Sequence, residues 1–249
     1  MVLRLDHSDQ DFATRFDAFL TTKREVSADV NADVTAIIDE VRARGDEALH
    51  DFTQKFDRLD TRAAGLRVTE AEITAAYEAT DPTVIEALQI AHDRIASHHS
   101  RQMPKDDYYE DAIGVGLGSR WTAVEAVGLY VPGGTASYPS SVLMNAVPAK
   151  VAGVERIVMV VPAREGELNP AVLAAAKIAG VDEIYRIGGA QAVAALAYGT
   201  ETIGDFSEGV AFVRGIKQLV DDNPEIFVVF KEKKPRYYLG DNPWSHDHD

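Results

Sequence analysis

Apolar positions in the first hundred residues recur with helical spacing. Gly45, which follows the clearest apolar stripe, is typical of a helix end. Thr69 and Glu72 have the spacing of a capping box, and Asp81–Pro82 has the form of a helix start. The stripe itself consists of five aliphatic residues on one helical face: Val30, Val34, Ile37, Ile38 and Val41. The first part of the chain is therefore predicted to be helical.

The pattern changes after a glycine-rich, alternating stretch at 108–121, which predicts a hairpin or an extended linker. Short apolar runs then alternate with helical patterns. The predicted strands lie at 124–131, 156–162 and 182–189, and the predicted helices at about 139–152, 169–180 and 190–200. The strand ends recur at roughly thirty residues, the length of a βαβ unit, and continuous apolar strands predict a parallel sheet covered on both faces. The predicted fold class is α/β, an N-terminal helical region followed by a Rossmann-like parallel βαβαβα sheet.

Three segments follow from these patterns. Residues 1–120 are predicted to form the helical region, residues 121–204 the Rossmann-like domain, and residues 205–249 a divergent tail. Within the tail, Ile226–Phe230 read as a strand, which we expect to pair with the strand at Ile184–Ile187.

Composition narrows the classes of function. The 249 residues carry a formal net charge of −15, which opposes binding to nucleic acid or to an anionic membrane surface. The absence of cysteine excludes disulfides, a thiolate nucleophile and cysteine-based zinc sites. No apolar run approaches the roughly 20 residues of a membrane span, and the start of the chain shows no export signal. A cytoplasmic location is therefore expected.

Paired glycines follow two of the predicted strands, each just before a helix: Gly133–Gly134 and Gly188–Gly189. Ligands bind at the carboxyl ends of parallel strands, where helix N-termini offer N–H groups and glycine permits close approach. The alternative is that tight turns simply require small residues. Tyr130 either stacks on an aromatic ligand or caps the core, and Gln191 either offers its amide to a ligand or is a surface or cap-like residue.

Two long motifs in this region, "GLYVPGG" at 128–134 and "GGAQAVAALAYGT" at 188–200, resemble the histidinol dehydrogenase family. The resemblance covers about residues 1–204 and includes "LRVTEAEI" in the helical part. It implies NAD-dependent oxidation of L-histidinol to L-histidine, through the aldehyde, in histidine biosynthesis by cytosolic zinc-dependent homodimers. Residues 121–204 then form an incomplete Rossmann-like NAD-binding domain. The expected cofactor-binding residues are Tyr130, Pro132, Gly133, Gly134, Gly189 and Gln191.

The family's zinc ligands and its Glu–His base are not recognised in this chain, so no catalytic or metal-binding residue is assigned. His92, His98 and His99 indicate a solvated helix face, and the terminal "HDHD" indicates a frayed end. We expect little or no activity from the isolated chain. The alternatives are a non-catalytic nucleotide-binding module and a structural or interaction fragment.

Overall fold

The computed structural model describes residues 5–133 and 138–204, without the side chains of residues 20–29. The part described contains eight α-helices and five strands. The helices are α1 Phe12–Arg44, α2 Asp46–Asp57, α3 Thr61–Ala64, α4 Glu70–Ala79, α5 Pro82–Ser100, α6 Pro139–Val151, α7 Pro170–Ala179 and α8 Gly189–Tyr198. The strands are β1 Asp107–Glu110, β2 Gly116–Ser119, β3 Ala126–Tyr130, β4 Arg156–Val160 and β5 Glu183–Tyr185.

The helix boundaries follow the local signals in the sequence. Gly45 ends α1 with a positive φ of 54°, and Thr69 with Glu72 forms the predicted capping box at the start of α4. The Asp81 side chain accepts from the Thr83 N–H at the start of α5. Helix α1 begins at Phe12, well before its apolar stripe, so periodicity indicated only its C-terminal half.

A three-stranded parallel sheet in the order β3-β4-β5 confirms the predicted α/β class. The ladder aligns Tyr130 at the end of β3 with Val160 in β4, and Val160 with Tyr185 in β5. The three carboxyl ends therefore lie at one edge of the sheet. Strands β1 and β2 pair antiparallel, which confirms the hairpin alternative for the glycine-rich stretch.

Helices cover both faces of this sheet because its side chains alternate between two apolar clusters. Leu129 and Met159 face the cluster formed with α4, α5, α6 and α7. Tyr130 and Val160 face the cluster formed with α1, α2 and α8. The N-terminal helices thus divide between the two faces, and the segment boundary near residue 120 stays a prediction. No helix in the described ranges combines the length and apolar content needed to cross a bilayer.

The outer edge of β5 is paired with the residues that precede α4. The Val68 N–H donates to the Ile184 carbonyl at 2.8 Å, and the Arg186 N–H donates to the Leu66 carbonyl at 2.9 Å. The strand predicted at Ile226–Phe230 lies outside the described residues. Its proposed neighbour, β5, already has these partners.

The start of α2 is held by residues that follow α8. The Glu201 carboxylate accepts from the Asp46 N–H at 2.8 Å, and the Thr202 hydroxyl donates to the Asp46 carboxylate. A carboxylate at a helix N-terminus is favoured by the positive end of the helix dipole. This connection fixes α2 against the end of the sheet domain, and the C-terminal end of α2 reaches the edge where the site lies.

Candidate functional site

The three strand ends meet around a proline. Gly133 follows β3, Pro162 follows β4, and Gly188 follows β5. A Cβ at Gly188 would lie 2.3 Å from Pro162 Cγ, and one at Gly133 would lie 3.0 Å from Pro162 Cβ. Packing against Pro162 therefore requires glycine at 188 and leaves little room for a larger residue at 133. This supports the tight-turn alternative most clearly at Gly188, while Gly133 is exposed.

Tyr130 joins the end of β3 to the start of α8. Its ring is buried in the apolar cluster with α1, α2 and α8, and the residue is only 8% exposed. Its hydroxyl oxygen accepts the Gly189 N–H at 3.1 Å. Burial raises the pKa of Tyr130, and the nearby charge of Asp57 raises it further. The hydrogen bond from the Gly189 N–H lowers this pKa by less than burial raises it. The hydroxyl therefore keeps its proton, and the oxygen that accepts from Gly189 can still donate to a ligand.

Gln191 is buried in the first turn of α8, which excludes the surface alternative. The residue is 1% exposed, and its Oε1 has no hydrogen-bond partner among the described residues. A Cβ at Gly189, where φ is 66°, would lie 2.7 Å from that oxygen. A buried acceptor left without a donor costs roughly 1–3 kcal/mol. Oε1 is therefore an unsatisfied acceptor among the described residues, and a side chain at Gly189 would overlap it.

The structure brings together most of the predicted cofactor-binding residues. Tyr130, Gly189 and Gln191 form one contiguous group through the contacts above. Pro132, which directly precedes Gly133 in the sequence, is half-buried. Gly134 lies outside the described residues. The Gly189 N–H donates to the Tyr130 hydroxyl, and its role as a cofactor-binding residue stays a prediction.

The pattern of the sequence did not indicate Asp57, at the C-terminal end of α2. Burial raises the pKa of this half-buried carboxyl, and the charge of Arg164, just after β4, lowers it in part. Its charge in turn acts on Tyr130. "KFDRLD" reads as an ordinary solvated helix end, so only the tertiary packing of α2 reveals that this carboxyl is half-buried and lies near Arg164.

The histidines of α5 remain a surface feature. His92 Nδ1 lies 2.9 Å from Asp93 Oδ1, and the rings of His98 and His99 contact edge to face. Among the side chains that the structure describes, no three of His, Asp or Glu are grouped as a metal site. The zinc ion that the resemblance implies thus has no ligand set among these residues.

A parallel sheet with helices on both faces, and polar groups gathered at its carboxyl edge, defines a Rossmann-like α/β protein. A family model described as histidinol dehydrogenase matches residues 20–228, a range that continues past Gly204. The chain belongs to the histidinol dehydrogenase family, as its motifs predicted.

Individual relatives agree with this assignment. A histidinol dehydrogenase of Agrobacterium fabrum is 68% identical over 224 residues, covering 88% of this chain and 52% of that protein. One from Rhizobium meliloti is 66% identical over the same shares. A crystal structure of histidinol dehydrogenase from Elizabethkingia anophelis has a TM-score of 0.68 at 35% identity, covering 71% of this chain and 40% of that one. The chain thus spans about half the length of the curated relatives it matches.

Proposed function

We propose that this chain is the dinucleotide-binding part of a histidinol dehydrogenase and binds NAD at the carboxyl edge of the sheet. The observation that carries the proposal is the buried Gln191 Oε1, which lacks a donor among the described residues and lies beside the Tyr130–Gly189 hydrogen bond. Bound NAD supplies a hydride acceptor. Family resemblance assigns NAD contacts to the same two side chains, Tyr130 and Gln191.

The residues of this chain bind and orient the dinucleotide. The Gln191 carbonyl oxygen accepts a hydrogen bond from the ligand, and the Tyr130 hydroxyl donates one while its oxygen holds the start of α8. Gly189 keeps the space beside Gln191 open because any side chain there would meet Oε1. The buried ring of Tyr130 fixes the position of its hydroxyl, so little freedom is lost when the ligand binds.

Calorimetric titration with NAD tests this function. We expect saturable binding by the natural chain and about tenfold weaker binding by Gln191→Leu, because one hydrogen bond to the ligand is lost. Leucine has a similar volume and removes the unsatisfied oxygen, so the free energy of unfolding should stay within about 1 kcal/mol of the natural value. Gln89→Leu, on the exposed side of α5, is the matched control and should bind NAD normally.

A natural chain that binds no NAD would rule out the nucleotide-binding function and leave the structural or interaction reading. Full NAD affinity in Gln191→Leu would remove Gln191 from the site.

We also propose that the isolated 249-residue chain oxidises L-histidinol poorly. Alcohol oxidation requires a base for the hydroxyl proton and a group that stabilises the developing alkoxide. The family motifs for these roles are not recognised in this sequence. The zinc dependence, the homodimer and the cytoplasmic location that the resemblance implies stay predictions.

Formation of NADH from histidinol, NAD and zinc measures that activity. The expected result is a rate indistinguishable from the blank, whereas the Agrobacterium fabrum relative, assayed in parallel, shows that the conditions support turnover. Turnover by the pure chain that disappears on chelation would contradict the prediction.

A further inference from the structure

Two strained turns face each other beside the site. Arg58, after α2, and Glu165, after β4, have φ values of 57° and 55°, the only positive values outside glycine among the described residues. Non-glycine residues in this conformation are uncommon and are concentrated at functional sites. Arg58 Nη1 lies 3.4 Å from Glu165 Oε1.

The turns after α2 and after β4 lie close together at two points. Arg58 and Glu165 form one of them, but both side chains are largely exposed, and exposed pairs contribute little. Leu59 and Gly166 form the other, since a Cβ at Gly166 would lie 3.4 Å from Leu59 Cδ1. The C-terminal end of α2 is thereby fixed against the turn that follows β4, the central strand of the sheet.

Asp57 is the residue that this arrangement places at the site. Its carboxylate is half-buried and accepts no hydrogen bond from the described residues, while Arg164 is the cation that acts on it. It also lies close enough to Tyr130 for its charge to raise the pKa of that hydroxyl. A partly desolvated carboxylate without donors is a favourable acceptor for hydroxyl groups of a ligand.

The end of the second strand is where dinucleotide-binding folds place the carboxylate that binds the adenosine ribose. Here β4 is the second strand of the sheet, and the residues that follow it, Val161, Pro162 and Ala163, carry no carboxylate. Glu165 follows soon after but pairs with Arg58 at the surface. The C-terminal end of α2, which carries Asp57, lies against the same turn, since Arg58 Nη1 is 3.4 Å from Glu165 Oε1.

Resting on the proposed NAD function, we propose that Asp57 binds the ribose hydroxyls of the adenosine half and selects NAD over NADP. A ribose diol donates two hydroxyl hydrogens to the carboxylate. In NADP the 2′-phosphate removes one of these donors and brings negative charge against Asp57. Asp57 is thus a specificity-determining residue, and it acts by attraction to one ligand and repulsion of the other.

Calorimetric titrations of NAD and NADP into the natural chain, Asp57→Asn and Glu165→Gln test this assignment. The natural chain should prefer NAD. Asp57→Asn should bind NAD about tenfold more weakly, because a hydrogen bond to a charged group is lost, and its preference for NAD over NADP should fall by at least that factor. Glu165→Gln, which removes the neighbouring exposed carboxylate, should keep both affinities.

The outcomes separate this inference from the function on which it rests. If the natural chain binds no NAD, the proposed function fails. If it binds NAD but Asp57→Asn keeps the natural preference, or Glu165→Gln changes it equally, only the role of Asp57 is wrong.

A second measurement needs no substitution. The natural chain should bind ADP-ribose at least about tenfold more tightly than 2′-phospho-ADP-ribose, because the 2′-phosphate removes the hydroxyl that donates to Asp57. Equal affinity for the two compounds would overturn the role of Asp57 even if Asp57→Asn folded poorly.

Discussion

Glu72→Gln is expected to lower the free energy of unfolding by about 3 kcal/mol at neutral pH, because it leaves a buried cation without its counterion. Arg186 Nη2 donates to the two carboxylate oxygens of Glu72 at 2.8 and 2.7 Å and to the Arg67 carbonyl at 3.1 Å. The Arg186 side chain is 7% exposed, whereas that of Glu72 is 43% exposed. Partial exposure of Glu72 places the effect at the low end of the range for buried pairs.

The Glu72–Arg186 pair also makes the lost free energy of unfolding depend on pH. The hydrogen bond from Arg186 is the main cause that lowers the pKa of Glu72 from its usual 4.5 to about 2. A lowered pKa in the folded state stabilises the protein above the unfolded pKa, and the stabilisation disappears as pH falls through the folded pKa. The difference between the natural chain and Glu72→Gln should therefore be complete above pH 4.5 and shrink towards pH 2.

Urea denaturation at neutral pH and at a series of acidic values measures both effects. Glu70→Gln is the matched control on the same helix, since Glu70 is 80% exposed and lies 3.4 Å from Lys177. Its expected loss is under about 0.5 kcal/mol. Similar losses in the two variants, or a Glu72→Gln loss that persists at low pH, would show that the buried pair is not the cause.

Gly188→Ala is expected to destabilise the fold by about 2–3 kcal/mol through overpacking at the carboxyl edge of the sheet. The new Cβ would lie 2.3 Å from Pro162 Cγ and 2.7 Å from Pro162 Cβ. The backbone at Gly188 is extended, with φ −137° and ψ −173°, a conformation that any residue adopts. The effect therefore comes from steric overlap with a rigid ring that cannot rotate away.

Thermal and urea unfolding should be compared with Gly204→Ala, where the nearest atom of the described residues to the new Cβ is Arg156 Nη1 at 3.6 Å. That control should stay within about 0.5 kcal/mol of the natural chain. In a Pro162→Gly background, the further loss caused by Gly188→Ala should fall below about 1 kcal/mol, because the overlapping atoms are gone. An undiminished loss in that background would show that another neighbour is responsible.

Local signals in the sequence accounted for the elements around the site. The capping box of Thr69 and Glu72, the end of α1 at Gly45 and the proline at the start of α7 each act within a few residues, so they can be read without the fold. The strands are shorter than their apolar runs. The apolar residues Val131 and Ile187, which follow β3 and β5, are buried, and the Val131 N–H still donates to the Val160 carbonyl at 2.9 Å.

The candidate site depends more strongly on contacts between distant segments. The sequence was equally consistent with a ligand-binding Gln191 and with a Gln191 at the surface. Only the packing of α8 on the sheet buries its amide. The glycine turns were consistent with a ligand site or with tight packing, and only the fold shows that a Cβ at Gly188 would overlap Pro162, which follows a different strand. Asp57 had no signal of its own because its position depends on α2 meeting the turn after β4.

By itself the sequence determined the α/β class, the alternation of strands and helices, and membership of the histidinol dehydrogenase family. These properties are encoded in periodicity, capping residues and long contiguous motifs. The tertiary structure alone decided which face each N-terminal helix covers, that Gln191 is buried without a donor from the described residues, and that the Asp57 carboxyl is half-buried near Arg164. Burial and the pKa of a side chain depend on neighbours far away in the chain, and no local pattern specifies those neighbours.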